Sequence, residues 1–262
     1  MLRKYSSSRT LKDNLQLGSL TAFSAGMVNV TSLIIFFAFT SNVTGHYAIL
    51  AEEIAKGNWN QVLMVFFWLF MFFYGNFLAN YLVISSSRSN YIAHALPLIL
   101  ETICLSSVGF YGLYYYQETL FETEILIAIM LLAMGLQNGL TASISNSAVK
   151  TTHMTGLTTD LAILVSMFTK KKFRENRELR DKAKLLTTIA VSYISGGVIA
   201  GLIYFAMGFK VFFMVSLFLI FIILYDYTKF RFNLLMRKRR LQGYGGSKRL
   251  KIKEMWLERI KI

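Results

Sequence analysis

GLQNGLTASISNSAVKTTHMTGLTTDLAILVSMF, residues 135–168, is a hydrophobic stretch interrupted near its middle by a polar turn that ends in Thr155-Gly156. A plain membrane helix does not accommodate such a run of Asn, Ser, Thr, His and Gly, because backbone groups freed by a break need protein or water as hydrogen-bond partners. Broken helices at membrane depth form the binding sites of many transporters. The stretch therefore predicts a broken or re-entrant membrane segment that carries a site.

The same pattern occurs earlier in the chain. Aligning SNVTGHYAILA (41–51) with THMTGLTTDLA (152–162) pairs Thr44-Gly45 with Thr155-Gly156, Asn42 with His153 and Ile49 with Asp160. Upstream, AGMVN (25–29) aligns with MGLQN (134–138), and both contain Gly-x-x-Asn. The chain is therefore predicted to be internally duplicated.

Composition places the chain in a membrane. Hydrophobic residues make up 55% of it and charged residues only 16%, well below the roughly 25% of a soluble domain. The net charge of +14 comes from cations that are segregated along the chain, which indicates membrane topology rather than nucleic-acid binding. Cys104 is the single cysteine, so the chain has no intramolecular disulfide and no Cys-based metal site.

Six apolar stretches are each long enough to cross about 30 Å of hydrocarbon as a helix: 18–39, 61–84, 91–116, 125–148, 184–207 and 210–228. Eight Lys or Arg lie between Thr169 and Lys184 and twelve follow from Lys229, whereas QETLFETE (117–124) has three Glu and no cation. The positive-inside rule then places both termini and the 169–184 loop in the cytoplasm.

The predicted fold is an all-α membrane protein with one polytopic domain, 1–228, made of two three-helix repeats, 18–116 and 125–228. Because three is odd, the second repeat crosses the membrane in the opposite direction, as in inverted-repeat transporters. The residues after each Thr-Gly, 46–56 and 157–168, are too short to span, so we expect half-helices or re-entrant segments; the alternative is interfacial loops with an amphipathic turn. The basic tail, 229–262, is either an amphipathic helix on the anionic inner leaflet or a solvated segment.

Polar residues within apolar stretches mark the candidate site. A charge at mid-bilayer costs at least about 2.5 kcal/mol, so Glu101 and Asp160 need a partner or a purpose. The alternative is that the two acids only cap or bridge neighbouring helices. The remaining candidates supply neutral hydrogen-bonding groups or close backbone approach around the breaks: Asn29, Asn42, Thr44, Gly45, Asn138, His153, Thr155 and Gly156. Half-helix starts after the two glycines would favour an anionic group or a carbonyl dipole.

Several chemistries have no support in the sequence. His46, His94 and His153 do not stand at metal-ligand spacing, so no metal site is predicted. No P-loop, dinucleotide fingerprint or nucleophile elbow is present, which argues against ATP-driven transport, nucleotide cofactors and the common enzyme classes. A membrane enzyme using Glu52, Glu53 and a histidine stays open without positive support.

The duplicated motifs carry a family resemblance. AGMVN followed by SNVTGHYAILA, and AMGLQNGL followed by TTHMTGLTTDLA, resemble the YoaK family of six-span bacterial membrane proteins, which share a domain of unknown function. Val43 stands where the family pattern has Met before Thr-Gly, a conservative departure. The resemblance covers about residues 18–225 and implies a multi-pass protein of the bacterial inner membrane with transporter-like architecture. It implies no substrate or reaction.

The leading function is a secondary transporter or permease for a small solute. Glu101 is the predicted protonatable residue, because burial favours the neutral form of a carboxyl group. Asp160 and the polar residues of the breaks form the predicted lining. The alternative is a non-transporting membrane scaffold or regulator, favoured if the breaks are dry, packed crossings. The sequence leaves the substrate, the coupling ion and the oligomeric state undetermined.

Overall fold

All regular secondary structure is helical in the part of the chain that the computed structural model describes, which is residues 2, 9–85, 91–232 and 236. Packing divides the chain into a unit Met1–Ile222 and a second unit Ile223–Ile262. All contacts discussed below lie within the first unit. The predicted amphipathic tail helix, the cations Arg3 and Lys4 and the 86–90 loop lie outside the described residues.

The first half of the chain begins with a capped helix. Thr10 accepts a hydrogen bond from the backbone N–H of Asp13 and the Asp13 carboxylate reaches back to Thr10, which forms a capping box. The helix ends where Phe37 adopts a left-handed conformation, φ 53°. The helices of this half are α1 (Leu11–Phe36), α2 (Val43–Lys56), α3 (Trp59–Ile84) and α4 (Tyr91–Tyr114).

The second half repeats this order. Its helices are α5 (Leu120–Ser145), α6 (Met154–Met167), the single turn α7 (Lys171–Arg174), α8 (Arg177–Met207) and α9 (residues 211–232), with a 3-10 turn at Gly208–Lys210 between the last two. Gly208 has a φ of 54°, which ends α8. The chain then turns back, since Phe23 of α1 lies against both Gly196 of α8 and Phe218 of α9.

Five segments of the described chain are long and apolar enough to cross a membrane: Leu11–Phe36, Trp59–Ile84, His94–Tyr114, Leu120–Ser145 and Arg177–Phe232. The last is 56 residues long and contains both α8 and α9. Many large apolar side chains on these helices are exposed, and on α3 Phe66, Phe73 and Phe77 are 59%, 65% and 54% exposed. Water would not tolerate such a surface on a monomer, so the chain is a multi-pass helical membrane protein.

The first two helices of each half match in length, and the long helix of each pair also matches in how it begins and ends. Both α1 and α5 have 26 residues, start after a threonine whose hydroxyl accepts a backbone N–H three residues later, and end at a left-handed residue, Phe37 or Asn146. Both α2 and α6 have 14 residues. The helices that precede the two aligned motifs therefore share their length and both caps.

Helices from different halves pack closely at glycines. In the crossing of α1 with α8, a Cβ on Gly26 would collide with the carbonyl oxygen of Tyr193 and lie 3.1 Å from the backbone nitrogen of Gly197. In the crossing of α3 with α5, a Cβ on Gly135 would lie 3.1 Å from the Cα of Gly75. These small-residue contacts let the backbones touch, as in many membrane bundles.

The two short helices begin earlier than the sequence predicts. The prediction placed their starts after the glycines, at residues 46 and 157, but α2 begins at Val43 and α6 at Met154. The Thr-Gly pairs therefore lie inside the first turn. The glycines let the N-cap side chains lie close to the helix: a Cβ on Gly156 would lie 2.8 Å from the His153 ring, and a Cβ on Gly45 would lie 3.3 Å from the Asn42 amide nitrogen.

Candidate functional site

An asparagine in each long helix holds the break that follows it. Asn29 of α1 donates its side-chain N–H to Ser41 Oγ, and its Oδ1 accepts from Thr40 Oγ1 at 3.1 Å. Asn138 of α5 donates to Thr152 Oγ1. Its Oδ1 accepts from Thr151 Oγ1 at 3.3 Å.

The two sets of hydrogen bonds are equivalent, because Thr40-Ser41 aligns with Thr151-Thr152 in the duplication. We call each set an asparagine staple. Within each half, the staple fixes the extended segment against the long helix that precedes it. The Gly-x-x-Asn motif therefore acts in both halves through its asparagine as well as through its glycine.

The short helices start without side-chain caps. The residues at the N-cap position are Asn42 for α2 and His153 for α6, and neither side chain accepts a first-turn N–H. A helix start has up to four backbone N–H groups without intrahelical partners and carries partial positive charge. Both short helices thus begin with hydrogen-bond donors that their N-cap side chains leave available.

The two breaks meet at one cavity. We call this the first cavity; it has a volume of about 280 Å³ and opens to the surface. Its polar walls come from the start of α2, from the second break and from the facing sides of α3 and α5. The lining residues are Ser41, Asn42, Val43, Thr44, Phe72, Asn76, Asn138, Ala142, Lys150, Thr152, His153, Met154 and Thr155.

A neighbouring second cavity of about 480 Å³ lies between α6 and α8. Lys150 and His153 line both cavities. In the second cavity, the ammonium group of Lys182 lies 2.9 Å from the Asp160 carboxylate, and both side chains are about half-exposed. This ion pair joins the second short helix to α8.

The structure brings most of the sequence-predicted site residues together. The first cavity is lined by Asn42, Thr44, Asn138, His153 and Thr155. The second is lined by His153, Gly156 and Asp160. Asn29 and Gly45 lie directly behind the lining: Asn29 donates to Ser41, and the Gly45 backbone N–H donates to the Asn42 carbonyl at 3.1 Å.

Glu101 is in neither of these cavities. It lies in α4, is fully buried, and its two carboxylate oxygens have no hydrogen-bond partner among the described residues. Nearby in α4, Ser106 Oγ donates to Ser216 Oγ of α9 at 3.0 Å, so the two helices are in contact on this side. A buried carboxyl group without a partner is far less costly when it is protonated than when it is charged.

Several residues of the site were not predicted from sequence. Lys150 lies within the quoted stretch but is part of no motif, and Asn76 and Lys182 belong to no motif either. Tyr193 of α8 is half-buried beside the first staple and accepts a hydrogen bond from Asn29. These residues reach the site through packing between distant helices, which one sequence does not reveal.

His46 has a structural role in the first break. It is 4% exposed, its Nε2 lies 2.9 Å from the Phe39 carbonyl oxygen, and its ring packs edge-on against Trp68. Burial lowers the pKa of His46, and the hydrogen bond to Phe39 opposes that shift. Leu157 is buried at the equivalent position of the second half, so this position belongs to the packing of each short helix.

Among the residues that the structure describes, no three His, Cys, Asp or Glu side chains cluster closely enough to hold a metal ion. The searches of curated proteins and of solved structures found no match. Residues 17–225 match the family model described as "Protein of unknown function (DUF1275)". That range covers most of the chain and agrees with the resemblance carried by the two Thr-Gly motifs, so the protein belongs to the DUF1275 family.

Proposed function

We propose that the protein is a secondary transporter or permease that binds a small solute in the first cavity. The observation that carries the proposal is that both breaks line one polar cavity. Its volume of about 280 Å³ is at the small end of the roughly 300–1,000 Å³ of small-molecule sites, which favours a small solute over a peptide or a lipid. The dry, packed crossings expected of a scaffold would leave no such cavity.

The proposed architecture is a pair of inverted repeats with six spans, counting α8 and α9 as separate crossings. Three features support it: the equal lengths of α1 and α5 and of α2 and α6, the equivalent caps of α1 and α5, and the two asparagine staples. In this arrangement α2 and α6 are half-helices. Each has 14 residues and a length of about 21 Å, shorter than the ~30 Å hydrocarbon core.

The proposed orientation places both termini and the 169–184 loop in the cytoplasm of a bacterial inner membrane. Because Cys104 is the single cysteine, a Cys104→Ser chain gives a background for single-cysteine labelling. A membrane-impermeant maleimide added to whole cells should label Glu118→Cys and leave Lys172→Cys unlabelled until the cells are opened. Labelling of Lys172→Cys from outside would reverse the assignment.

The proposed energy source is a proton gradient acting through Glu101. Full burial without a hydrogen-bond partner in the described part of the chain supports a carboxyl group that carries a proton rather than a charge, and intramembrane acids are common proton carriers. Such a group can couple a solute to protons if its protonation changes between the two access states of the transporter.

The test is uptake into liposomes that contain the purified full chain. The labelled solutes are phosphate, sulfate, pyruvate, glycerol, glucose, choline and putrescine, and each is measured with and without an inward proton gradient. We expect one or more solutes to accumulate, and accumulation by Glu101→Gln to lose its response to the gradient. Glu124→Gln is the matched control, because Glu124 is also buried but accepts a hydrogen bond from Gln61 at 3.1 Å.

An equal response to the proton gradient with and without Glu101→Gln would make Glu101 a structural acid only. If the wild-type chain moves none of the seven solutes, the transport proposal fails. The scaffold alternative then becomes the leading function.

A further inference from the structure

The charges around the two cavities are unevenly balanced. In the second cavity, Asp160 pairs with Lys182 at 2.9 Å, and Asp181 lies 3.9 Å from Arg177. Among the described residues that line the first cavity there is no carboxylate, and Lys150 is the one lysine or arginine. Lys150 is exposed, and within the described chain no carboxylate oxygen lies within 4 Å of its ammonium group. Lys150 therefore gives the first cavity a positive charge that no described carboxylate pairs with directly; the same lysine also lines the second cavity, together with Asp160 and Asp181.

The neutral groups of the first cavity suit the same kind of ligand. Its lining includes the hydroxyl groups of Thr44 and Thr155, which lie in the first turns of α2 and α6. Hydroxyl groups and backbone N–H groups at a helix start donate hydrogen bonds to carboxylate and phosphate oxygens. The amide group of Asn42 adds further donors, and Asn76 has one amide N–H left after its Nδ2 donates to the Phe72 carbonyl oxygen at 2.8 Å. Because the described lining contains Lys150 and no acid, the first cavity disfavours positively charged solutes.

We infer that the solute of the first cavity is a small anion, with a carboxylate or another oxyanion group bound to Lys150 and to the starts of the two short helices. This inference rests on the proposed function only in treating the anion as a transported solute, since the cavity can bind an anion whether or not the protein transports it. Lys150 is then a binding residue placed at the junction of the two cavities, where it can contact an anion from either one.

The test has two arms that use the same purified full chain. In the first, the uptake of labelled phosphate, sulfate and pyruvate into liposomes is compared with that of glycerol, glucose, choline and putrescine. In the second, the melting temperature in detergent is measured while phosphate, sulfate or pyruvate is titrated at constant ionic strength, because a ligand that binds the native state raises it.

Lys150→Gln removes the charge and keeps much of the length of the side chain, and Lys172→Gln is the control. Lys172 is an exposed lysine that lines neither cavity. We expect Lys150→Gln to raise the concentration of anion needed for half-maximal uptake or half-maximal stabilisation by about tenfold, the usual effect of removing a charged hydrogen-bond partner. Lys172→Gln should stay within about twofold, and Lys150→Arg should recover most of the wild-type affinity.

The outcomes separate the two proposals. Uptake of a neutral or cationic solute that is unaffected by Lys150→Gln overturns the anion inference and keeps the transporter. Stabilisation by an anion that Lys150→Gln abolishes, without any uptake, supports the anion site and overturns the transporter. If none of the seven solutes is taken up and none of the three anions raises the melting temperature, both the transporter proposal and the anion inference are overturned.

Discussion

The first break (residues 37–42) and the second break (residues 146–153) are held by the same asparagine staple but have different surroundings. At the first, Asn29 also donates to Tyr193 of α8, and Thr40 and Ser41 are 0% and 7% exposed. At the second, the equivalent Thr151 is also 0% exposed and Thr152 is half-buried, but Lys150 and His153 are exposed and line two cavities. The staple is thus the common structural part, while the accessible charge belongs to the second break.

Exposure along the two short helices follows the same order. Asn42 and His153 are exposed, as are Thr44 and Thr155, while His46 and Leu157 are buried. The backbone at a helix start decides which positions face outward, whatever side chain stands there. Equivalent positions can therefore have different side chains without altering the fold. One break can then present a charged side chain to a ligand while the other break has an uncharged one at the same position.

The largest expected effect is a loss of stability when a glycine is replaced where α1 crosses α8 or where α3 crosses α5. Gly26→Ala places a methyl group against the Tyr193 carbonyl oxygen, and backbone cannot move aside as a side chain can. We expect it to destabilise the protein by about 3 kcal/mol, the upper part of the overpacking range. Gly135→Ala should behave similarly, because its Cβ would collide with the Phe72 carbonyl oxygen.

Gly201→Ala is the control for this prediction, since its nearest neighbour would be Val30 Cγ1 at 3.6 Å. Thermal unfolding of the detergent-purified chains measures all three variants. A melting temperature for Gly26→Ala equal to that of Gly201→Ala would show that α1 and α8 do not cross as closely as described.

A smaller loss of stability is expected when either asparagine staple is removed, and the loss should differ between the two. Asn29→Ala removes the partner of the buried Thr40 backbone N–H, which now donates to Asn29 Oδ1 at 3.0 Å, and leaves Ser41 and Tyr193 without their donor. Asn138 is only half-buried, so water can replace its bonds more easily. Leaving buried polar groups unsatisfied costs about 1–3 kcal/mol. We expect a loss of about 2 kcal/mol for Asn29→Ala and about 1 kcal/mol for Asn138→Ala, measured by the same thermal unfolding.

Equal losses for the two alanine variants would contradict the difference between the breaks. Asn138→Ala should instead have its main effect on the first cavity, which Asn138 lines. The binding of phosphate, sulfate or pyruvate should therefore weaken more in Asn138→Ala than in Asn29→Ala.

The sequence predicts the parts of this molecule that repeat. Gly26 and Gly135, the two asparagines and the Thr-Gly pairs are all visible as duplicated motifs, because each acts within its own half or at a crossing that the other half also makes. The starts of α2 and α6 were misplaced by three residues, because Thr-Gly is a common turn signal. The structure instead uses these glycines to make room for the N-cap side chains.

Residues that occur in one half alone were harder to predict. Lys182 and Tyr193 both lie on α8, far from the breaks in sequence, and reach them only because α8 packs across α1 and α6. Asn76 reaches the first cavity in the same way from α3. Contacts between distant helices depend on crossing angle and register, which motif spacing does not encode. The sequence therefore predicts the Gly-x-x-Asn and Thr-Gly motifs of the site, but not the side chains from distant helices that make its two halves different.

The smallest effect concerns the ion pair between α6 and α8, which has no equivalent at Ile49 of the first half. Asp160 and Lys182 are about half-exposed, so solvent and salt screen the attraction, and such pairs contribute about 0.2–1 kcal/mol. A double-mutant cycle with Asp160→Asn and Lys182→Gln should give a coupling in that range at low salt and almost none at about 1 M salt. The pair between Lys56 and Glu52 within α2, at 2.7 Å, is a useful reference because both partners are on one helix. If the coupling between Asp160 and Lys182 persisted at high salt, the second cavity would be closed to solvent. The second break would then be as inaccessible as the first, which would contradict the exposure of Lys150.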